Sequence, residues 1–271
     1  MPELPEVETT RRGIEPYVKE QVIVDVEVRE PRLRWRVPAG LAQKLKDARV
    51  LSVERRGKYL LLSTSSGTLI VHLGMSGSLR MVTDDIAPQS HDHVDVSFSN
   101  GLKLRLRDPR RFGSVLWTRS DPFRHPLLAS LGPEPLSHAF DGNWLHETAR
   151  GRRAAVKTLI MNSRVVAGVG NIYASEALFL AGINPARSAG RISARRFGSL
   201  ADAVKQVLEE ALVQGGTTLR DFVNGAGEPG YFAQSLRVYG REGEACIKCG
   251  SAVRARVLGQ RASYYCPRCQ R

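Results

Sequence analysis

Val94-Asp95-Val96-Ser97-Phe98-Ser99-Asn100-Gly101-Leu102-Lys103-Leu104-Arg105-Leu106 alternates apolar and polar residues on both sides of Asn100-Gly101. A period of two marks a strand with one buried face, and Asn-Gly tolerates the left-handed backbone of a tight reversal. The stretch predicts a β-hairpin. Further strands are expected on either side of it. At residues 22–28, Val22, Val24, Val26 and Val28 alternate with Ile23, Asp25 and Glu27. Residues 50–53, 58–63, 67–73 and 114–118 read as strands too. Residues 3–19 suit a helix that buries Val7 and Ile14, with Pro16 threatening its last turn. The first half is therefore a β-sandwich or barrel carrying an N-terminal helix.

Beyond Pro122, Pro126, Pro133 and Pro135 the period becomes helical, at residues 143–150, 153–162, 171–182 and 193–213. In the last of these, Leu200, Val204, Val207, Leu208, Ala211 and Leu212 form an apolar stripe suited to a core. A domain boundary is expected near residues 130–140, and the glycine-rich stretch at 224–230 reads as a loop.

The chain has 271 residues, 42% hydrophobic residues and a formal charge of +13. That length suits two domains and a small third. The charge points to a polyanionic partner, with nucleic acid ahead of an anionic membrane surface. No apolar run reaches the length of a membrane span and no signal-peptide core begins the chain, so a cytoplasmic location is expected. Four cysteines close the chain as Cys246-x2-Cys249-x16-Cys266-x2-Cys269. Paired cysteines in a cytoplasmic chain suit one structural zinc ion held by four thiolates. A tail so short is expected to fold around its metal, presenting Arg254, Arg256, Arg261 and Arg268 to phosphates.

The first residues, Met1-Pro2-Glu3-Leu4-Pro5-Glu6, carry a second chemistry. Removal of Met1 would leave Pro2 with a secondary amine that titrates at about 8, partly uncharged and nucleophilic at neutral pH. Glu3 holds a carboxyl group beside it for proton transfer. Gly168-Val169-Gly170-Asn171 opens a helix where backbone amides suit an anion, and Arg150, Arg152, Arg153 and Lys157 form a basic run nearby. Asp108-Pro109-Arg110-Arg111-Phe112 sets an aromatic beside arginines at a loop tip, and Met75 sits between glycines; both suit wedges into a base stack. Lys58, after Gly57, is placed to reach a phosphate or a reaction centre.

Together these stretches resemble the bacterial formamidopyrimidine-DNA glycosylase family from end to end. The resemblance rests on residues 1–9, on His72-Leu73-Gly74-Met75-Ser76-Gly77, on His91-Asp92-His93 and on residues 108–113. It continues through Leu131-Gly132-Pro133-Glu134-Pro135, residues 169–176, Pro229-Gly230-Tyr231-Phe232-Ala233-Gln234 and the four cysteines. Leu4 and Tyr231-Phe232 favour the purine-lesion enzymes over the sister endonuclease VIII group, which usually has glycine at the position of Leu4. The resemblance implies an α+β chain: a β-sandwich with an N-terminal helix over 1–135, a helix-two-turn-helix domain over 136–235 and a zinc-finger hairpin over 236–271. It implies a bifunctional base-excision repair enzyme, a DNA glycosylase and abasic-site lyase without redox cofactor. Such an enzyme would act as a monomer on damaged double-stranded DNA at the bacterial nucleoid.

By the same resemblance Pro2 is the nucleophile, Glu3 the proton donor and acceptor, and Lys58 and Arg261 assist elimination. His91, Arg110, Arg152, Lys157 and Asn171 would contact DNA. Met75, Arg110 and Phe112 would fill the space left by an extrahelical base, over which residues 217–231 would close. Met161-Asn162-Ser163 departs from the Asp-Gln or Asp-Asn common before that module. Two readings from other classes compete: a zinc-finger protein that only binds damaged DNA, and an RNA-binding accessory protein. The first has no need of Pro2-Glu3, and the second leaves Arg110 and Phe112 without a task.

Overall fold

The computed structural model describes residues 2–215 and 236–271. The chain divides after Ala129 into two compact units. The second takes in residues 130–213 and the described tail, so that the helices and the cysteine-rich tail belong to one unit. The loop expectations at 224–230 and 217–231 lie outside the described residues.

The first unit opens with α1 (Leu4–Val18), which buries Val7, Ile14 and Val18 and runs through Pro16. Eight strands follow: β1 (Ile23–Val28), β2 (Val50–Arg56), β3 (Tyr59–Thr64), β4 (Gly67–His72), β5 (Ser78–Thr83), β6 (Asp92–Phe98), β7 (Leu102–Arg107) and β8 (Ser114–Thr118). A short α2 (Leu41–Leu45) lies between β1 and β2. The strands form two four-stranded antiparallel sheets, ordered β1-β6-β7-β5 and β2-β3-β4-β8. One core takes Val94, Val96, Leu104 and Leu106 from the first sheet and Val53, Leu60, Leu62, Leu69 and Val71 from the second, with α1 packed in. The unit is thus the expected sandwich with its N-terminal helix.

The β6–β7 hairpin forms as its alternation requires. The Gly101 N–H donates to Phe98 O at 3.1 Å, and Gly101 adopts φ +79°, a left-handed position where glycine costs least. Strand β1 departs from the simple alternation: a bulge between Ile23 and Asp25 turns Ile23 inward and leaves Val24 47% exposed. Strand β5 and helix α2 were not anticipated.

Two connections cross between the sheets at one end. Residues 73–77 lead from β4 to β5, and residues 108–113 lead from β7 to β8. Because His72 pairs with Ser114 and Ser78 pairs with Arg107, the crossings run side by side.

On the first sheet Arg105 and Asp95 are each 1% exposed. Arg105 Nη2 and Nε donate to Asp95 at 2.7 and 2.9 Å, and Arg29 adds a bond of 2.7 Å. Burial opposes the charge on Asp95, yet hydrogen bonds from Arg105 and Arg29 hold its carboxyl below the usual carboxylate range. Arg105 Nη1 also donates to the carbonyls of Ile86 and Ala87, fixing the segment ahead of His91.

In the second unit, α3 (Pro126–Ala129) having closed the first, α4 (Gly142–Ala149), α5 (Val156–Ile160), α6 (Asn171–Leu180) and α7 (Ala194–Val213) pack together. The expected stripe of α7 is buried from Leu200 to Ala211. The tail adds a hairpin, β9 (Arg254–Leu258) and β10 (Arg261–Tyr265). Among the described residues no helix is long and apolar enough to cross a membrane.

Asp95→Ala would leave the buried Arg105 with the Ile86 and Ala87 carbonyls and only a more distant carboxylate, Asp92 at 3.7 Å, and should destabilise the chain by about 3–5 kcal/mol, the usual cost of breaking a buried ion pair. Urea unfolding of the variant beside its parent measures this.

Candidate active site and nucleic-acid interface

Pro2 and Glu3 are buried at the head of α1, with Glu3 only 1% exposed at the N-cap position. The Glu3 N–H donates to Glu6 Oε2 at 2.8 Å, so the carboxylate of Glu6 closes the first helical turn. Helix α1 packs on β2 and β3, and the turn joining those strands carries Lys58. Arg56 pairs with Tyr59, leaving a two-residue turn in which Gly57 takes φ +57°.

His72 pairs with Tyr59 across β3 and β4, their ring centroids 4.7 Å apart. The Gly74 N–H donates to His72 Nδ1 at 3.0 Å, which leaves the ring proton on Nε2. Burial, and then the charges of Lys58 and Arg34, push His72 down to about 4. A neutral imidazole thus stands within the field of two cations.

The two crossing loops carry the expected wedge residues. Phe112 is 41% exposed, and the Arg110 guanidinium lies 4.8 Å from its ring centroid. Met75 is half-buried in the neighbouring loop. The loops touch backbone to backbone: Gly74 has φ +65°, and a Cβ there would fall 2.4 Å from the Phe112 carbonyl carbon. His91 is exposed beside them with φ +74°.

In the second unit Arg152 is exposed, and its carbonyl accepts from Gly190 N–H and Ser188 Oγ. Lys157 differs from expectation. It is 1% exposed, and its ammonium donates to Ala262 O at 3.0 Å and to Ser263 Oγ at 2.9 Å. It holds the β10 strand rather than presenting its charge at the surface. The sequence hid this, because the partner groups lie more than a hundred residues away. Arg261 begins β10 and is exposed, next to a two-residue turn in which Gly259 and Gln260 both take positive φ. Asn171 opens α6, and its Nδ2 donates to Tyr239 Oη at 3.4 Å. Asn162, at the departing position, accepts the Arg164 N–H on its Oδ1.

Glu176, within the stretch 169–176, was given no role by its sequence. It is 0% exposed and accepts from the backbone N–H groups of Arg237, Val238 and Tyr239 at 2.8, 3.0 and 2.9 Å. That clamp sets Tyr239 beside Asn171 and edge-on to Tyr264 of β10, ring centroids 5.0 Å apart. The available signal was the one charged side chain in the mostly apolar helix α6. His72 was likewise quoted without a role; its placement depends on strand register.

The four cysteine sulfurs lie within 4.8 Å of one another. Cys246 and Cys269 are 3.9 Å apart, and Cys249 and Cys266 are 3.5 Å apart. Four thiolates about 2.3 Å from a tetrahedral zinc lie roughly 3.8 Å from each other, so the donor set fits that ion. The N–H groups of Lys248 and Cys269 also donate to sulfur, as thiolate ligands require.

Family models match along the chain. The formamidopyrimidine-DNA glycosylase N-terminal domain matches residues 1–115, its H2TH domain residues 131–223, and the zinc finger found in FPG and IleRS residues 243–271. The formamidopyrimidine-DNA glycosylase of Methylococcus capsulatus is 62% identical over 271 residues, covering the whole of both chains. The chain belongs to the formamidopyrimidine-DNA glycosylase family. Members of this family are DNA glycosylases with abasic-site lyase activity. Among solved structures, a Lactococcus lactis FPG mutant in complex with Fapy-dG-containing DNA covers all of both chains at 33% identity, with a TM-score of 0.93. MutM in complex with DNA containing carbocyclic 8-oxo-G covers all of both chains at 34% identity, with a TM-score of 0.92.

The depressed His72 has a consequence for the glycosylase fold. Above its ordinary value of about 6.5, folded and unfolded chains are both neutral at this ring. As pH falls from there to about 4, the unfolded chain takes up a proton that the folded chain refuses, so stability declines across that window. His72→Gln should flatten this slope. Thermal midpoints at either end of the window should differ less for the variant than for its parent.

Proposed function

We propose that this glycosylase removes oxidised purines, 8-oxoguanine and formamidopyrimidines, from duplex DNA and then cleaves the abasic site by β,δ-elimination, leaving 3′- and 5′-phosphates. The observation that carries the reading is the burial of Pro2 and Glu3 at the head of α1, against the sheet whose turn carries Lys58. Family membership and the likeness to structures holding Fapy-dG and 8-oxo-G DNA support the substrate class.

Removal of Met1 frees the Pro2 amine. Its lone pair attacks C1′ of the damaged nucleotide, the glycosidic bond breaks, and the base leaves with the bonding electrons and a proton. Glu3 donates the proton that opens the sugar ring, and the pair settles as an iminium. The iminium draws electrons from C2′, whose proton is lost as the 3′-phosphate departs. A second proton loss expels the 5′-phosphate, and hydrolysis of the imine returns the amine. Cationic side chains lower the cost of each departing phosphate, the task proposed for Lys58 and Arg261.

Base removal from a duplex also requires extrusion of the nucleotide. Met75, Arg110 and Phe112 take the vacated space, while His91, Arg152 and Asn171 hold phosphates. Lys157 holds the strand that carries Arg261. One structural zinc on Cys246, Cys249, Cys266 and Cys269 would stabilise the hairpin and supply no step of the reaction. The enzyme would act as a monomer on bacterial DNA in the cytoplasm, with affinity falling steeply as salt rises.

Borohydride trapping on an 8-oxoguanine duplex, with mass mapping of the cross-link, tests the nucleophile. An adduct on Pro2 is expected; one on Lys58 would overturn the role of the N-terminus. Glu3→Gln should slow base excision by about 10²–10⁴-fold, the usual contribution of a positioned acid or base. Cys249→Ser should unfold the hairpin and abolish duplex binding in a gel-shift titration; binding at parental affinity would refute the structural role of the metal.

A further inference from the structure

We propose that Asp108 is a positioning residue that locks Met75, Arg110 and Phe112 into one rigid wedge, with the Ser76 hydroxyl as its relay. The inference rests on the wedge role given above to those three side chains.

Asp108 is 0% exposed and both of its carboxylate oxygens accept hydrogen bonds. Oδ1 accepts from Ser76 Oγ at 2.8 Å, and Oδ2 from the Gly113 N–H at 2.7 Å. Ser76 Oγ in turn accepts from the Arg110 N–H at 3.2 Å. Thus one carboxylate reaches the neighbour of Met75, the neighbour of Phe112 and, through one hydroxyl, the backbone of Arg110. The main chain of Asp108 extends the same hub. Its N–H donates to His91 O at 3.0 Å, and its carbonyl accepts from His93 Nε2 at 2.9 Å and from the Arg111 N–H at 3.1 Å.

Among the described residues Asp108 makes no ion pair. A buried carboxylate served only by neutral donors is a costly way to hold a fold together, because no opposite charge offsets its desolvation. Its geometry instead suits the holding of two loops in a fixed relation. The backbone around it is unusual in the same sense. Arg111 takes φ +56° and His91 φ +74°, conformations that non-glycine residues keep only where their surroundings over-determine them. A Cβ on Gly113 would fall 2.7 Å from His72 O and 3.0 Å from Asp108 Oδ2, so the loops meet with no room for adjustment.

A wedge that replaces an extruded base is pushed back by the stack it opens. Met75, Arg110 and Phe112 sit on two separate loops, so their common action depends on those loops not parting. Ser76 Oγ, bonded to Asp108 Oδ1 and to the Arg110 N–H, spans them.

Ser76→Ala tests this with the least disturbance, since it removes the relay and adds no volume. Two substrates separate the roles: a duplex with 8-oxoguanine, whose base must be extruded, and a single strand with a preformed abasic site, which offers no stack to open. A 2-aminopurine beside an uncleavable abasic analogue in a duplex reports wedge insertion without any chemistry. Ser76→Ala should slow excision from the duplex about tenfold, the rate equivalent of one charge-assisted hydrogen bond, and reduce the 2-aminopurine signal. Cleavage of the single strand should keep the parental rate. The losses from Ser76→Ala and Asp108→Asn should be less than additive in the double variant.

Equal losses on both substrates would overturn the proposal, since they would show a general structural role. So would an undiminished 2-aminopurine signal, or additive losses in the double variant. A parent chain that gives the fluorescence change yet cleaves neither substrate would instead refute the catalytic reading, and the fluorescence of Ser76→Ala would still decide the latch.

Discussion

The pairing of β4 with β8, which sets His72 against Ser114, is the constraint on which the N-terminal unit depends. Two chain segments separated by more than thirty residues must leave and enter one sheet at adjacent points. From there each crosses to the other sheet, where Ser78 meets Arg107. Antiparallel register is all or nothing: a slip of one residue would turn every buried side chain outward. Register therefore fixes the crossings as firmly as it fixes the core. Because Tyr59 pairs with His72, the Lys58 turn is delivered to the same end. Lys58, Met75, Arg110 and Phe112 are thus placed by strand pairing with loops as short extensions, while Pro2 and Glu3 are placed by helix α1.

That end of the sandwich is crowded with backbone, and the crowding explains its glycines. Gly74 and Gly113 stand where any Cβ would strike the opposing loop. Close main-chain contact leaves amide and carbonyl groups with few routes to water, and each must find a partner inside. His72 Nδ1, Ser76 Oγ and the Asp108 carboxylate are those partners. The polar residues here answer a demand created by the topology, and in doing so they leave Phe112 and Arg110 facing outward on a stiff base.

Local signals carried most of the architecture. The alternation around Asn100-Gly101 and the stripe of α7 were enough to place a sandwich before a helical region, because period and turn chemistry are properties of neighbouring residues. Strand β1 shows where this stops: its run of valines looks uniform, and only the bulge against β6 decides that Val24 faces outward. The cysteine spacing was equally legible, since each pair forms its own knuckle. The burial of Pro2-Glu3 at the head of α1 was not legible, because it depends on the packing of that helix. Lys157, Glu176 and Asp108 were not legible in role, for one reason. Each is a buried charged side chain that bonds to backbone groups or hydroxyls, and such partners carry no mark in a sequence.

Those three residues also show how a chain with an excess of +13 divides its charged groups. Arginines 110, 152 and 261 are exposed, which on the proposed reading leaves their charge within reach of a phosphate. Buried charges act on the backbone: Lys157 on β10, Glu176 on residues 237–239, Asp108 on the crossing loops. A surface charge exchanged for another costs little, since solvent screens it. A buried charge removed leaves amides or carbonyls unsatisfied, and the loop or strand they held is released. It follows that the interior charges set where the exterior ones can act. On the proposed reading, damage recognition would depend on these interior residues as well as on the exposed ones.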